Sequence, residues 1–309
     1  MLNRRSLLSL PLALAFTPSF AQPRRIGRLV IIGGAEDKLK DRVILQRFVA
    51  LCGGVGSRIR VLSAASSDPA SAWATYQSVF AELGVADCQP IAIPDREAAE
   101  SSAVTDLILQ ADGIFISGGD QRRLMDLIWE TEAFRALHAA FHLRGCCVGG
   151  TSAGAAVLSR NMLVQGEATI RPEKEVAELD IGLGFVAGAI VDQHFSERGR
   201  LGRLLSALAQ RPQMLGVGVD EDTALVIERG QGIEVIGQGA VTIVDGRSML
   251  SNHDSIDERE RLELLAVRLH VLPAGHRYSL KPKVSQDRAI PAALLEAIGL
   301  LVAPGPIRG

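Results

Sequence analysis

Little in this sequence invites a nucleic acid. Lysine and arginine total 33 against 35 acids, a formal charge of −2, so no global basic field attracts a phosphate backbone. Aromatic residues make up only 4% of the 309, too few for base-stacking platforms. Cysteine is sparse as well. Cys52, Cys88, Cys146 and Cys147 show no metal-type spacing, and the adjacent pair falls in an apolar run whose strand geometry would point the two thiols to opposite faces. All four read as small buried hydrophobes. No His/Glu cluster has zinc-ligand spacing, and the Gly-rich stretches lack the Lys-Ser/Thr of a phosphate loop. The residues therefore ask for no metal and no cofactor. A complete dinucleotide fingerprint after the first strand is also missing, which weighs against a nucleotide-binding module.

Long hydrophobic runs are missing too. The first one, Leu7 to Phe16, follows Arg4-Arg5 and precedes Ser19-Phe20-Ala21. It is too short for a comfortable membrane span, and the charged start, apolar centre and small residues at a cleavage position form a secretory signal over residues 1–21. Asn3-Arg4-Arg5-Ser6-Leu7-Leu8 also matches a twin-arginine export pattern. The expected product is an exported protein, periplasmic or extracellular, with no membrane partner.

With 47% hydrophobic residues, the remainder supports a sizeable core, and strands and helices alternate along it. Arg28 to Ile32 reads as a buried strand ending at Gly33-Gly34. A helix over 39–52, a strand over Ile59 to Leu62 and a helix ending at Leu83 follow. Then come a strand over Gln89 to Ile93, a helix over Ala98 to Gln110 and a strand over Gly113 to Ile116. A helical pair over 121–143 leads to a strand over Gly145 to Gly149. This alternation predicts an α/β fold, a mainly parallel sheet with helices on both faces. Past Pro212 short strands follow one another, at Val217 to Asp220, Ala224 to Ile227, Ile233 to Ile236 and Val241 to Val244, as an added β portion on the same core. Residues 22–309 read as one domain; 245–309 carry little pattern beyond a helix near Ile290 to Leu300.

Chemistry in such sheets gathers where strands end. Gly150-Thr151-Ser152-Ala153-Gly154 is a Gly-x-Ser-x-Gly motif between a strand and a helix, the context that lifts a serine hydroxyl into the open. The alternatives are a plain Gly-rich turn, or an anion site on the helix N-terminus. A serine nucleophile needs a base. Of six histidines, His138 and His142 lie one helical turn apart and are expected to cover a surface, and His253, His270 and His276 fall in the weakly patterned C-terminal part. His194 ends a strand in Asp192-Gln193-His194-Phe195 and is the candidate base. Asp220, Glu221 and Asp222 follow another strand; three adjacent acids each require a partner or solvent, and one of them can orient the imidazole.

Six ordered segments now carry a resemblance: Gly33-Gly34-Ala35-Glu36-Asp37, Ser117-Gly118-Gly119-Asp120-Gln121, Gly150 to Ala155, Asp192 to Phe195, Arg198 to Arg203 and Gly218 to Ala224. Over residues 26–230 the chain resembles cyanophycinases, in the serine-peptidase group that also contains aspartyl dipeptidase. The resemblance implies a class-I glutamine amidotransferase-like fold with serine in place of cysteine, and a homodimer. It implies Ser152 as nucleophile, His194 as base, Glu221 as third member of the triad, and Gly119 and Ala153 as oxyanion donors. The order Ser, His, acid differs from that of α/β-hydrolases. The implied partner is cyanophycin, a polyaspartate bearing arginine on each side-chain carboxyl, cut to β-aspartyl-arginine. A substrate with both signs of charge needs both signs in its site. Gln121, Asp192, Gln193, Arg198, Arg200 and Arg203 match the substrate-contacting positions, against the plainer reading of the arginines as a solvated helix face. Hydrolysis of aspartyl or isoaspartyl dipeptides and an inactive secreted binding protein are the competing functions.

Overall fold

The computed structural model describes residues 27–281 and 289–303; the segment 1–21, expected as an export signal, lies outside them. Strand β1 (Arg28–Ile32) is followed by α1 (Val43–Cys52), β2 (Arg58–Leu62), α2 (Pro69–Glu82), β3 (Asp87–Ile91), α3 (Arg96–Ala99), α4 (Ser102–Gln110), β4 (Gly113–Ile116), α5 (Gln121–Ile128), α6 (Glu132–Arg144), β5 (Cys147–Thr151) and α7 (Ala153–Ala156). A hairpin of β6 (Asn161–Gly166) and β7 (Ala177–Ile181) leads to β8 (Ala189–Gln193), α8 (Leu201–Gln210) and β9 (Leu215–Val219). Then come β10 (Thr223–Glu228), β11 (Gly232–Gly237), β12 (Ala240–Asp245), the short pair β13 (Leu250–Ser251) and β14 (Leu264–Leu265), β15 (Arg268–Pro273), β16 (His276–Ser279) and α9 (Ala292–Val302).

The large sheet runs β16-β11-β10-β1-β5-β4-β2-β3. Its half from β1 to β3 is parallel, and β10, β11 and β16 join antiparallel. Period-2 alternation explains how it is covered. Leu29 and Ile31 of β1 face a core shared with α4, α5, α6 and α9, while Val30 and Ile32 face one built with α1 and α2. Helices on both faces bury the central parallel strands β1, β4 and β5 along nearly their whole length, while the edge strand β3 is only partly covered.

A second sheet, β15-β12-β9-β8, holds part of the added β portion expected on the same core. Val191, Val217, Val219 and Ile243 join the same core as Ile31, while Ile190 and Val244 pack with Leu204 and Leu208 of α8. The base and the acids thus arise from a different sheet than the serine. They meet it because β8 and β9 end where β1 ends: Gly33 N donates to Thr223 O at 3.0 Å and His194 N donates to Gly33 O at 2.7 Å.

Candidate active site

Ser152 directly follows β5, which runs to Thr151, two residues past the end expected at Gly149. Gly149 and Gly150 lie inside the strand, and the turn falls on the serine itself, at φ 53°, ψ −115°. His194, the residue after β8, also has positive φ, at 47°. Such backbone costs about 1 kcal/mol or more at each residue and persists only when the surroundings enforce it. Here they do. Ser152 N donates to Ile32 O at 3.0 Å, Ser152 O accepts from Ala155 N at 2.9 Å, and His194 is tied to Gly33 as above.

The three side chains form a row. Ser152 Oγ lies 2.9 Å from His194 Nε2, and His194 Nδ1 lies 2.5 Å from Glu221 Oε1. A proton on Nδ1 donates to the carboxylate and leaves Nε2 free to accept from the serine, the tautomer a general base needs. The imidazole is buried and the other two groups are half-buried. Gly34 makes room for the ring: at φ 103°, a Cβ there would sit 2.3 Å from His194 Cε1.

The three consecutive acids divide their work. Asp220 Oδ1 accepts from Ser196 N at 3.1 Å and from Ser196 Oγ at 2.5 Å, and its Oδ2 accepts from Ala240 N at 3.0 Å. Glu221 holds the imidazole. Asp222 Oδ1 accepts from Asp37 N at 2.8 Å. Only the middle acid faces the histidine.

The proposed oxyanion donors come from two places. Ala153 opens α7, a helix of four residues. Gly119 sits at φ 141° in a loop pressed so close to Ala65 that a Cβ would lie 2.1 Å from its carbonyl oxygen, and the neighbouring Gly118 lies against Ser152. Neither N–H donates to a backbone carbonyl among the described residues. Both remain available to a developing negative charge.

The expected substrate contacts sort differently. Arg198 is exposed. Arg200 and Arg203 are buried. Arg203 forms a bidentate pair with the buried Asp192, its Nε donating to Oδ2 at 2.8 Å and its NH2 to Oδ1, and its NH1 donates to Gly166 O at 2.9 Å. Arg200 NH1 donates to the carbonyl oxygen of Gln193 and, at 2.7 Å, to Gln193 Oε1. Burial lowers the Arg200 guanidinium to about 10. Gln121 Nε2 donates to Leu163 O at 3.0 Å and Val164 O at 2.6 Å, which ties α5 to β6. Asp192, Arg203 and Gln121 therefore face protein partners rather than an open groove, because a buried ion or amide must be satisfied where it sits.

Two readings change. His138 does not cover a surface: it is buried, its Nε2 2.8 Å from Leu183 O and its ring against Phe134 and Phe185. Cys52, Cys146 and Cys147 are buried, as their small apolar character suggests, while Cys88 is half-buried. Sequence reasoning also gave Glu36 no role, although Glu36 lies buried in the first Gly-rich loop.

A hydroxyl, an imidazole and a carboxylate in line at the strand ends of an α/β sandwich define a serine-hydrolase type of centre. The chain belongs to peptidase family S51, whose model matches residues 29–236, and it is a serine-type peptidase. It is 40% identical over 254 residues to a cyanophycinase of Geminocystis herdmanii, covering 82% of this chain and 93% of that protein. To a cyanophycinase of Thermosynechococcus vestitus it is 38% identical over 265 residues, covering 85% and 82%. A crystal structure of a peptidase from an acI-B1 Actinobacterium shares the fold, with a TM-score of 0.59 at 21% identity, over 83% of this chain and 98% of that one.

Proposed function

We propose that this protein hydrolyses cyanophycin to β-aspartyl-arginine dipeptides through a Ser-His-Glu triad and an acyl-enzyme. The observation that carries the chemistry is the row Ser152–His194–Glu221, with its spacings of 2.9 and 2.5 Å. The substrate reading rests on relatives that bear the name cyanophycinase at 37–40% identity over most of the chain.

In the proposed reaction His194 Nε2 takes the Ser152 proton as Oγ attacks a main-chain carbonyl of the polyaspartate, and the β-linkage to arginine stays intact. The Gly119 and Ala153 N–H groups receive the oxyanion. His194 then protonates the leaving amine, and Glu221 stabilises the imidazolium. Water enters by the same proton path, and the acyl-serine is hydrolysed. Arg198, the exposed member of the three arginines, offers its fork to a substrate carboxylate. Arg200 is buried, its NH1 held by Gln193.

Incubating the purified protein with cyanophycin and weighing the products tests the proposal. β-Aspartyl-arginine is expected, and turnover should fall by at least about 10⁴-fold in Ser152→Ala with the fold retained. Release of free aspartate from aspartyl dipeptides, with the polymer left intact, would assign the site to dipeptides instead.

A further inference from the structure

The segment Gly33 to Asp37 contributes no group to the proposed reaction, yet it touches the segments that carry the base, the acid and the serine. Gly33 O accepts from His194 N at 2.7 Å, and Gly34 lies against the imidazole. Gly34 O accepts from Asp222 N at 2.9 Å, and Asp37 N donates to Asp222 Oδ1 at 2.8 Å, both at the residue that follows Glu221. The remaining loop is reached by Glu36. Thr151 Oγ1, one residue before the serine, donates to Glu36 Oε2 at 2.5 Å.

Glu36 is itself held firmly. Tyr76 OH donates to its Oε1 at 2.5 Å, and Lys38 Nζ lies 2.8 Å from the same oxygen. Glu36, Thr151 and Tyr76 are all buried. A carboxylate in that setting is costly unless its oxygens are fully used, and three donors use them. An apolar side chain could fill the same space, but it could not fix the direction of the Thr151 hydroxyl. Thr151 shares a peptide plane with Ser152, whose unusual backbone angles set where Oγ points. A small rotation there moves the hydroxyl out of reach of Nε2, and displacements of an ångström cost orders of magnitude in rate.

We infer that Glu36 is a positioning residue of the reaction: through Thr151 it locks the nucleophile turn to the one loop that also seats the base and the acid. This rests on the reading of Ser152 as nucleophile.

The test compares the parent with Thr151→Val, Thr151→Ser and Glu36→Gln. It measures kcat and KM on cyanophycin, the rate of inactivation by a small serine-directed phosphonate, and thermal melting. The phosphonate makes few substrate contacts and so reports on the hydroxyl and its base. Thr151→Val and Glu36→Gln are expected to lower kcat and the inactivation rate by a common factor of about tenfold or more, with KM within about twofold. Thr151→Ser, which keeps the hydroxyl, stays within about twofold of the parent. Should Glu36→Gln fail to fold, Thr151→Val still carries the test, since it leaves the carboxylate with Tyr76 and Lys38. Unchanged inactivation rates in Thr151→Val, whatever its melting temperature, would reduce Glu36 to a support of the fold and overturn the inference. A parent protein that is not labelled at Ser152 would instead overturn the nucleophile reading, and the inference with it.

Discussion

Single residues in this site are constrained by neighbours that differ sharply in kind. Gly34 is constrained by space: Gly34→Ala places a methyl inside the His194 ring, so the imidazole must move. A loss of about 100-fold in kcat is expected, together with a lowered melting temperature from the strained backbone, and parent-like kcat would show that the ring has another seat. His142 is constrained by charge. Its Nδ1 lies 3.1 Å from Arg229 NH1, which suits a neutral ring accepting from the guanidinium. Burial first, and then the Arg229 charge, lower it from 6.5 to about 4. The folded value is below the unfolded one, so between pH 6.5 and about 4 the unfolded chain binds a proton that the fold does not. Stability from this residue is present above pH 6.5 and is lost as pH falls through that window. Urea unfolding at pH 7 and pH 4.5 should show a smaller acid loss in His142→Gln than in the parent; equal losses would remove His142 from the account. At this scale the sequence is informative wherever residue type implies chemistry. Ser152, His194 and the acid triplet can be picked out, but which acid faces the imidazole depends on turn geometry. Asp220 and Asp222 are identical in type, yet one anchors Ser196 and Ala240 and the other anchors Asp37.

Elements show the same division between pattern and context. In α6, Phe134, Leu137 and Phe141 are spaced as one helical stripe, and His138 falls within it, which is why it is buried. The stripe was readable; the expectation that a histidine belongs outside was the weaker rule. Helix α1 starts at Val43, four residues later than the helix expected over 39–52, although Leu39 has the character of a core position. The Asp37 carboxylate accepts from the N–H groups of Leu39, Lys40 and Arg42, makes a turn of those residues and leaves Leu39 exposed. These same N–H groups hold the Asp37 carboxyl well below the usual range. One helix was expected where α3 and α4 stand, because the break is a matter of caps: Ser101 Oγ accepts from Val104 N and starts a new helix. The β6–β7 hairpin left no alternation to read, since β7 buries only Ala177. That hairpin matters to α8, because Arg203 bridges Asp192 of β8 and Gly166 of β6. Removing one partner of a buried pair leaves the other uncompensated, so Arg203→Ala should lower stability by about 3–5 kcal/mol in urea unfolding. A variant of unchanged stability and raised KM would return Arg203 to the role of a substrate contact.

At the scale of the whole molecule, the site sits where two sheets meet. The loop after β1, the turn after β5 and the turns after β8 and β9 are all C-terminal strand ends, the places where an α/β architecture leaves backbone and side chains free for chemistry. The centre of the parallel half, β1, β4 and β5, was legible because strands covered on both faces carry little that is polar. The division into two sheets was not, since β9 and β10 are consecutive and similar in composition, and only packing separates Val217 from Leu225 by sheet. The N-terminal region adds a proposal of its own: the Arg4-Arg5 and Leu7 to Phe16 pattern directs export. An intact mass of the protein recovered from the periplasm or medium that lacks residues 1–21 would support it, and a full-length cytoplasmic product would refute it. The central claim is that Ser152 is activated by His194 and Glu221, residues carried by another sheet. Labelling with a serine-directed phosphonate, followed by peptide mapping, tests it most directly. One adduct per chain, on Ser152, lost in Ser152→Ala and slowed by about 10³-fold or more in His194→Ala, is the predicted result. Cyanophycin hydrolysis by a protein that takes no adduct at Ser152, or that labels as fast without His194, would contradict it.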